Sequence, residues 1–142
     1  MSTPKYALIT GGGRGIGKQV SFDLAEMGFE VILVGTNKDN LAKASEEIKK
    51  KGQISRYYIC DVGNEESIKN LFAELQKQIP KLDLLVNNAG ILSAGEAPLL
   101  NLKSKAIFDT LQVNSIGPIS MVQNAIELLK KSDNAQVINV SS

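Results

Sequence analysis

Five short apolar runs alternate along this chain with four longer stretches of helical periodicity, and that alternation limits the folds open to it more than any other feature. The runs are Tyr6–Thr10, Glu30–Val34, Ile54–Cys60, Leu82–Val86 and Gln136–Val140. Between them, apolar residues recur three and four positions apart, as on one face of a helix. Ile16, Val20, Leu24 and Met27 form the first such stripe, which stops at Gly28. Leu41, Ala44 and Ile48 form the second, closed by three lysines and Gly52. Those lysines complement the helix dipole, and the glycine supplies a left-handed cap. Ile68, Phe72, Leu75 and Ile79 form the third, after the N-cap Asn64. The fourth is a long segment from about residue 103 to 131, carrying Ile107, Leu111, Val122, Ala125, Ile126 and Leu129. A strand–helix alternation of this kind requires a parallel sheet with helices on both faces, joined by right-handed crossovers. The expected fold is a doubly wound α/β sheet, Rossmann-like, ending after its fifth strand.

A length of 142 residues fits a single domain, 1–142. Apolar residues make up 43% and aromatics only 5%, so the core is aliphatic, as suits strands buried on both faces. The net charge of +1 offers no basic field for nucleic acid or an anionic membrane, and neither partner is expected. With no His, the chain lacks the commonest metal ligand, and no metal site is expected. Cys60 stands alone, which excludes an internal disulfide and reads as a small core residue. No apolar run reaches the roughly 20 residues of a membrane span, and the N-terminus has no signal-peptide pattern. A cytoplasmic protein is expected. The sequence stops directly after its fifth strand, whose apolar edge would be left open. It is therefore expected to be the N-terminal part of a larger domain.

The chemistry centres on Thr10-Gly11-Gly12-Gly13-Arg14-Gly15-Ile16-Gly17, between the first strand and the first helix. Glycines there let the backbone turn sharply and approach a ligand closely. The free amides and positive dipole end of the following helix suit a pyrophosphate. A plain tight turn uses glycines too, but the strand-before, helix-after setting favours a dinucleotide site.

The spacing Gly-x-x-x-Gly-x-Gly after a threonine resembles the motif of the short-chain dehydrogenase/reductase family. Three further elements extend the resemblance along the whole chain: Cys60-Asp61-Val62 after the third strand, Asn87-Asn88-Ala89-Gly90 after the fourth, and Asn114 and Ser142 at the family's active-site positions. The resemblance implies a nicotinamide-dependent oxidoreductase that moves a hydride between the cofactor and a small carbonyl or alcohol substrate. It implies that Thr10, Gly11, Gly13, Arg14, Gly15, Ile16 and Gly17 form the phosphate turn and that Thr36 and Asn37 border the adenosine ribose. It also implies that Asp61 and Val62 meet the adenine, while Asn88, Ala89 and Gly90 line the adenosine side. Asp61 could equally cap its own turn. The long fourth helical segment often forms a subunit interface in the family, which implies a homodimer or homotetramer.

An acidic residue at the end of the second strand would bond the ribose hydroxyls and repel a 2′-phosphate. Here Gly35, Thr36, Asn37 and Lys38 follow that strand, and none is acidic. Arg14 sits in the phosphate turn, and its permanently charged fork of donors suits a phosphate. NADP is therefore expected over NAD, with Lys38 a weaker contributor; the plainer reading of Arg14 is a solvated surface residue.

By resemblance, Ser142 polarises the substrate carbonyl, with Ser141 the alternative register, and Asn114 takes part in a proton relay. A physical argument supports Asn114. Pro118, four residues on, has no N–H to donate to the Asn114 carbonyl, so that oxygen is free for water. The family's acid–base pair, a Tyr with a Lys four residues later, is absent: Tyr6, Tyr57 and Tyr58 are followed at that distance by Thr10, Asp61 and Val62. The 142 residues alone are expected to be inactive. The alternative functions are a non-catalytic dinucleotide-binding module and an inactive fragment.

Overall fold

The computed structural model describes residues 3–92 and 97–141. Ser142 lies outside the described residues. Five parallel strands form one sheet: β1 (Lys5–Thr10), β2 (Phe29–Gly35), β3 (Ser55–Ile59), β4 (Leu84–Asn87) and β5 (Gln136–Asn139), in the order β3-β2-β1-β4-β5. The connections run outward one way from β1 and the other way from β4. The crevice between their carboxyl ends is thus the switch point where open α/β sheets bind ligands. Five α-helices flank the sheet: α1 (Gly15–Glu26), α2 (Lys38–Lys50), α3 (Glu65–Gln78), α4 (Ser104–Leu111) and α5 (Gly117–Leu129). A π-helical turn, Gln112–Ile116, joins α4 to α5.

Alternate residues of each strand face opposite cores, as the pleat requires. Ala7 and Ile9 of β1, with Val31, Leu33, Leu84 and Val86, pack against Leu24 and Ala25 of α1 and Leu41, Ala44 and Ile48 of α2. Tyr6 and Leu8, with Ile32, Val34 and Leu85, face Ile68, Phe72 and Leu75 of α3 and Met121, Ala125 and Leu128 of α5. The strands of β1 and β2 are thus buried on both faces, the reason their sequences run apolar without alternation.

The stripes of α2 and α3 are buried as the sequence predicts. That of α1 is buried only in its middle: Leu24 is buried and Val20 packs against the core, but Ile16 and Met27 are exposed, and Gly17, Ser21 and Ala25 complete the inward face. Small residues let α1 lie close to β1 and β2, and an apolar search passes over Gly and Ser. In the fourth segment Ala125 and Leu129 are buried, while Ile107, Leu111 and Ile126 lie on the surface. The extra residue of the π turn shifts the helical phase between α4 and α5, so one 3.6-residue pattern cannot describe both. At the sheet edge, β5 leaves Val137 and Ile138 partly exposed.

Asp83 anchors the end of the sheet opposite the switch point. Its carboxylate accepts from the Tyr6 amide (2.8 Å) and the Ser132 hydroxyl (2.6 Å), and pairs with Lys81 at 3.2 Å. Burial is the largest influence on this carboxyl and opposes its ionisation. The Ser132, Tyr6 and Lys81 partners together outweigh it and hold the pKa below the usual carboxylate value. A depressed folded-state pKa gives stability that is present above the unfolded value, near 3.8, and is lost as pH falls through the folded one. Asp83→Asn should therefore cost about 1.5–3 kcal/mol at pH 6, the range for hydrogen bonds to a charged group. In urea unfolding the gap between variant and wild type should narrow at pH 3; a gap independent of pH would remove the anchor from the account.

Candidate functional site

The carboxyl ends of the first four strands open into a cleft of about 520 Å³, within the usual size of a small-ligand or cofactor pocket. Its floor is the glycine turn, with Gly11, Gly13, Arg14, Gly15 and Ile16 on the wall. The end of β2 contributes Val34, Gly35, Thr36 and Asn37; the end of β3 contributes Cys60, Asp61 and Val62; and Asn88, Ala89, Gly90 and Ile91 follow β4. Four strand ends that are 77 residues apart in sequence at the extremes thus converge through one sheet register.

Two groups of site residues emerge, with different work. Thr10 and Gly17 do not line the cleft. The buried Thr10 hydroxyl accepts from the amides of Asn88 and Ala89, both at 2.9 Å, and so fastens the turn after β4 to the end of β1. Gly17 lies against that junction; a methyl group there would overlap the Gly11 carbonyl oxygen and the Asn88 side-chain amide. These two residues shape the cleft from behind.

Gly15 opens α1 with φ at +55°, a left-handed conformation that favours glycine. The N-cap of α1 is Arg14, whose side chain makes no capping bond, and its first turn has no acidic residue. Both neighbours that begin near the cleft are capped: Asn37 accepts from the Asn40 amide in α2, and Asn64 from the Ser67 amide in α3. An uncapped helix start presents free amides and the positive end of the dipole to whatever occupies the cleft. Arg14 is exposed on the same wall, with no carboxylate in ion-pair distance among the described residues.

Asp61 lies on the wall and also caps its turn, its Oδ1 accepting from the Gly63 amide at 2.8 Å. Cys60 is buried, and burial pushes its thiol pKa up against a lowering hydrogen bond from Ser67. A raised pKa keeps it a thiol at neutral pH. Lys38, weighed for the ribose side, is absent from the wall; Asn40 of α2 stands there instead. Neither Asn40, Ile91 nor Val113 is marked out by the sequence, because each reaches the cleft only through tertiary packing. Asn40 alone left a trace, since N-terminal turns of helices after a strand border the switch point.

Asn114 holds the loop after β4 with both ends of its side chain. Its Oδ1 accepts from the Ile91 amide at 2.8 Å and its Nδ2 donates to the Ile91 carbonyl at 2.7 Å. It sits in the π turn, where Gly117 donates to the Gln112 carbonyl and Pro118 has no N–H to give. The strand leading to Ser142 is in place, with the Val140 amide donating to Asn87 O at 2.9 Å and Asn87 Nδ2 donating to Asn139 Oδ1 at 3.0 Å. Tyr6 and Tyr58 carry raised pKa values, burial being the largest cause in each, and Tyr6 lies at the far end of β1. Neither is tuned for proton transfer near neutrality.

A family model described as short chain dehydrogenase matches residues 5–142. The chain belongs to this family. Among curated short-chain dehydrogenase relatives, it is 34% identical over 160 aligned positions to a (+)-neomenthol dehydrogenase of Arabidopsis thaliana, covering 99% of this chain and 54% of the relative. It is 33% identical to a 3-oxoacyl-[acyl-carrier-protein] reductase of Staphylococcus aureus, covering 100% and 57%. Among solved structures it superposes with a TM-score of 0.91 on a metagenomic short-chain oxidoreductase in complex with NADP, at 26% identity over 97% of this chain and 62% of that one. A short chain dehydrogenase from Escherichia coli complexed with NADPH gives 0.90 at 28% identity, over 97% and 58%. The chain spans about half the length of the curated relatives it matches. No helix of the described residues is long and apolar enough to cross a membrane.

Gly17 gives a test of the cleft's construction that depends on sign. In an ordinary helix interior Gly→Ala stabilises by up to about 1 kcal/mol. Here the methyl has no room, and Gly17→Ala should destabilise by about 1–3 kcal/mol, read as a lowered midpoint in chemical unfolding. A neutral or stabilising effect would contradict the close approach of α1 to the turn after β4.

Proposed function

We propose that this chain is the cofactor-holding part of an NADP(H)-dependent oxidoreductase acting on a small carbonyl or alcohol substrate. The observation that carries the reading is the uncapped start of α1, opening into the cleft with Arg14 beside it and no carboxylate among Gly35, Thr36 and Asn37. The residues present fit the group. The amides of Gly13 to Ile16 take the pyrophosphate. Arg14, with Thr36, Asn37 and Asn40 around it, takes the 2′-phosphate by charge and hydrogen bonds. Asp61 offers its free carboxylate oxygen to the adenine amino group while Val62 packs against the ring. Asn88, Ala89 and Gly90 close the adenosine side, and Ile91 and Val113 lie further along the wall. When bound, the nicotinamide supplies or accepts the hydride.

The chain's own residues orient and polarise. Ser142, three positions after β5 in the sequence, donates a hydrogen bond to the substrate oxygen, with Ser141 the alternative. The Asn114 side chain is committed to Ile91, so its contribution to a proton relay is its backbone carbonyl, to which Pro118 has no N–H to donate. Residues 1–142 contain no Tyr with a Lys four positions later. That same absence favours one other reading, a dinucleotide-binding module without chemistry; turnover of NADPH by the full chain with a carbonyl substrate separates the two. We further propose assembly into a dimer or tetramer through α4, the π turn and α5, which together expose Ile107, Phe108, Leu111, Ile116, Ile119 and Ile126. Light scattering that gives only a monomer would refute it.

Arg14→Ala should weaken NADPH by about tenfold or more, the scale of one charge-assisted contact of roughly 1.5–3 kcal/mol, and leave NADH within about threefold. Fluorescence titration of both cofactors measures this. An equal loss for the two would remove the case for the 2′-phosphate.

A further inference from the structure

The π turn between α4 and α5 rests on the loop after β3 through two glycines, one from each side. A side-chain methyl at Gly117 would stand 2.7 Å from the Val62 carbonyl oxygen, which is backbone and cannot swing away. A methyl at Gly63 would stand 2.8 Å from Val113 Cγ2. The turn therefore lies as near the Asp61–Gly63 loop as bare backbone allows. Within the same turn Val113 lines the cleft and Asn114 grips both backbone groups of Ile91. One rigid piece thus touches the cleft wall after β3 and holds the wall after β4.

We propose that Gly117 and Gly63 are positioning residues, forming a seat that sets the π turn at the height from which Asn114 can grip Ile91. They act on the cleft through Asn114, not by touching a ligand. The seat explains why a helix with an extra residue is kept here: the π turn carries Val113 toward Gly63 and Asn114 toward Ile91 at once, while Gly117 lets the backbone approach Val62. Interiors packed to this density pass displacements on to their neighbours instead of absorbing them. The consequence for turnover rests on the oxidoreductase reading above; the consequence for Ile91 does not.

The experiment is amide hydrogen exchange on the full chain, read at Ile91, with the central-strand amide of Ile32 as the reference for global stability. Gly117→Ala should speed exchange at Ile91 by about tenfold relative to Ile32, as expected for a local opening. On an Asn114→Ala background the same substitution should add less than about twofold, since the grip is already gone. Gly63→Ala should act in the same direction, and adding Val113→Ala, which removes the obstructing methyl, should bring Ile91 back to the rate of Val113→Ala alone. That second pair decides the matter if Gly117→Ala does not fold. In turnover, Gly117→Ala should lower kcat by about tenfold with KM for NADPH within about threefold, the signature of lost positioning. Ile91 exchange that tracks Ile32 in every variant, or effects of Gly117→Ala and Asn114→Ala that multiply, would overturn the proposal. Loss of the Ile91 hold without any wild-type turnover would leave the seat standing and refute the oxidoreductase reading.

Discussion

The Thr10 hydroxyl, accepting from two successive backbone amides beyond β4, is the contact on which the cleft depends. A parallel sheet brings strand ends to one edge but does not by itself fix the loops that leave them. One buried oxygen at the end of β1 orders the Asn88–Ala89 turn, and that turn carries the side chain that lies on Gly11 and Gly17. Removing that oxygen would leave both part-buried amides without their partner, and an unmet buried amide costs about 1–3 kcal/mol. The phosphate turn, the start of α1 and the loop after β4 are therefore one body.

From this body the electrostatics follow. Asparagines cap α2 and α3, satisfying their leading amides within the protein. α1 leaves its own amides to the cleft, and the positive charge on the cleft wall is that of Arg14, across from Asp61 at the end of β3. Positive dipole, open amides and guanidinium act together on an anion. No carboxylate at the end of β2 opposes them. At the opposite end of the sheet, Asp83 collects three donors and closes the strands where no ligand site is built.

Much of this was legible in the sequence, for physical reasons that differ by element. The apolar runs of β1, β2 and β4 declare buried strands because nothing polar can sit on either face. Asn64 and Gly52 announce helix ends because caps are local chemistry: Asn64 accepts from the Ser67 amide, and Gly52 takes φ of +79°. The inward face of α1 was legible only at Val20 and Leu24, because close packing also selects Gly17 and Ser21, which carry no hydrophobic signal. Ile107 and Leu111 are exposed because α4 buries no residue on any face, and Ile126 because it lies beside the inward stripe of Met121, Ala125 and Leu128 on α5. Pro118 signalled an interruption, but the direction of the Asn114 side chain depends on where Ile91 lies, which is tertiary. Asn40 and Val113 joined the cleft wall for the same reason.

The central claim is that the leading amides of α1 receive a dinucleotide diphosphate. Backbone amide shifts of the isotope-labelled full chain, followed during titration with NADPH, test it most directly. The account requires the largest saturable changes at Gly13, Arg14, Gly15 and Ile16, accompanied by Asp61, Val62 and Ala89. Saturation that leaves those leading amides unmoved, or that maps to the Asp83 edge of the sheet, would contradict it.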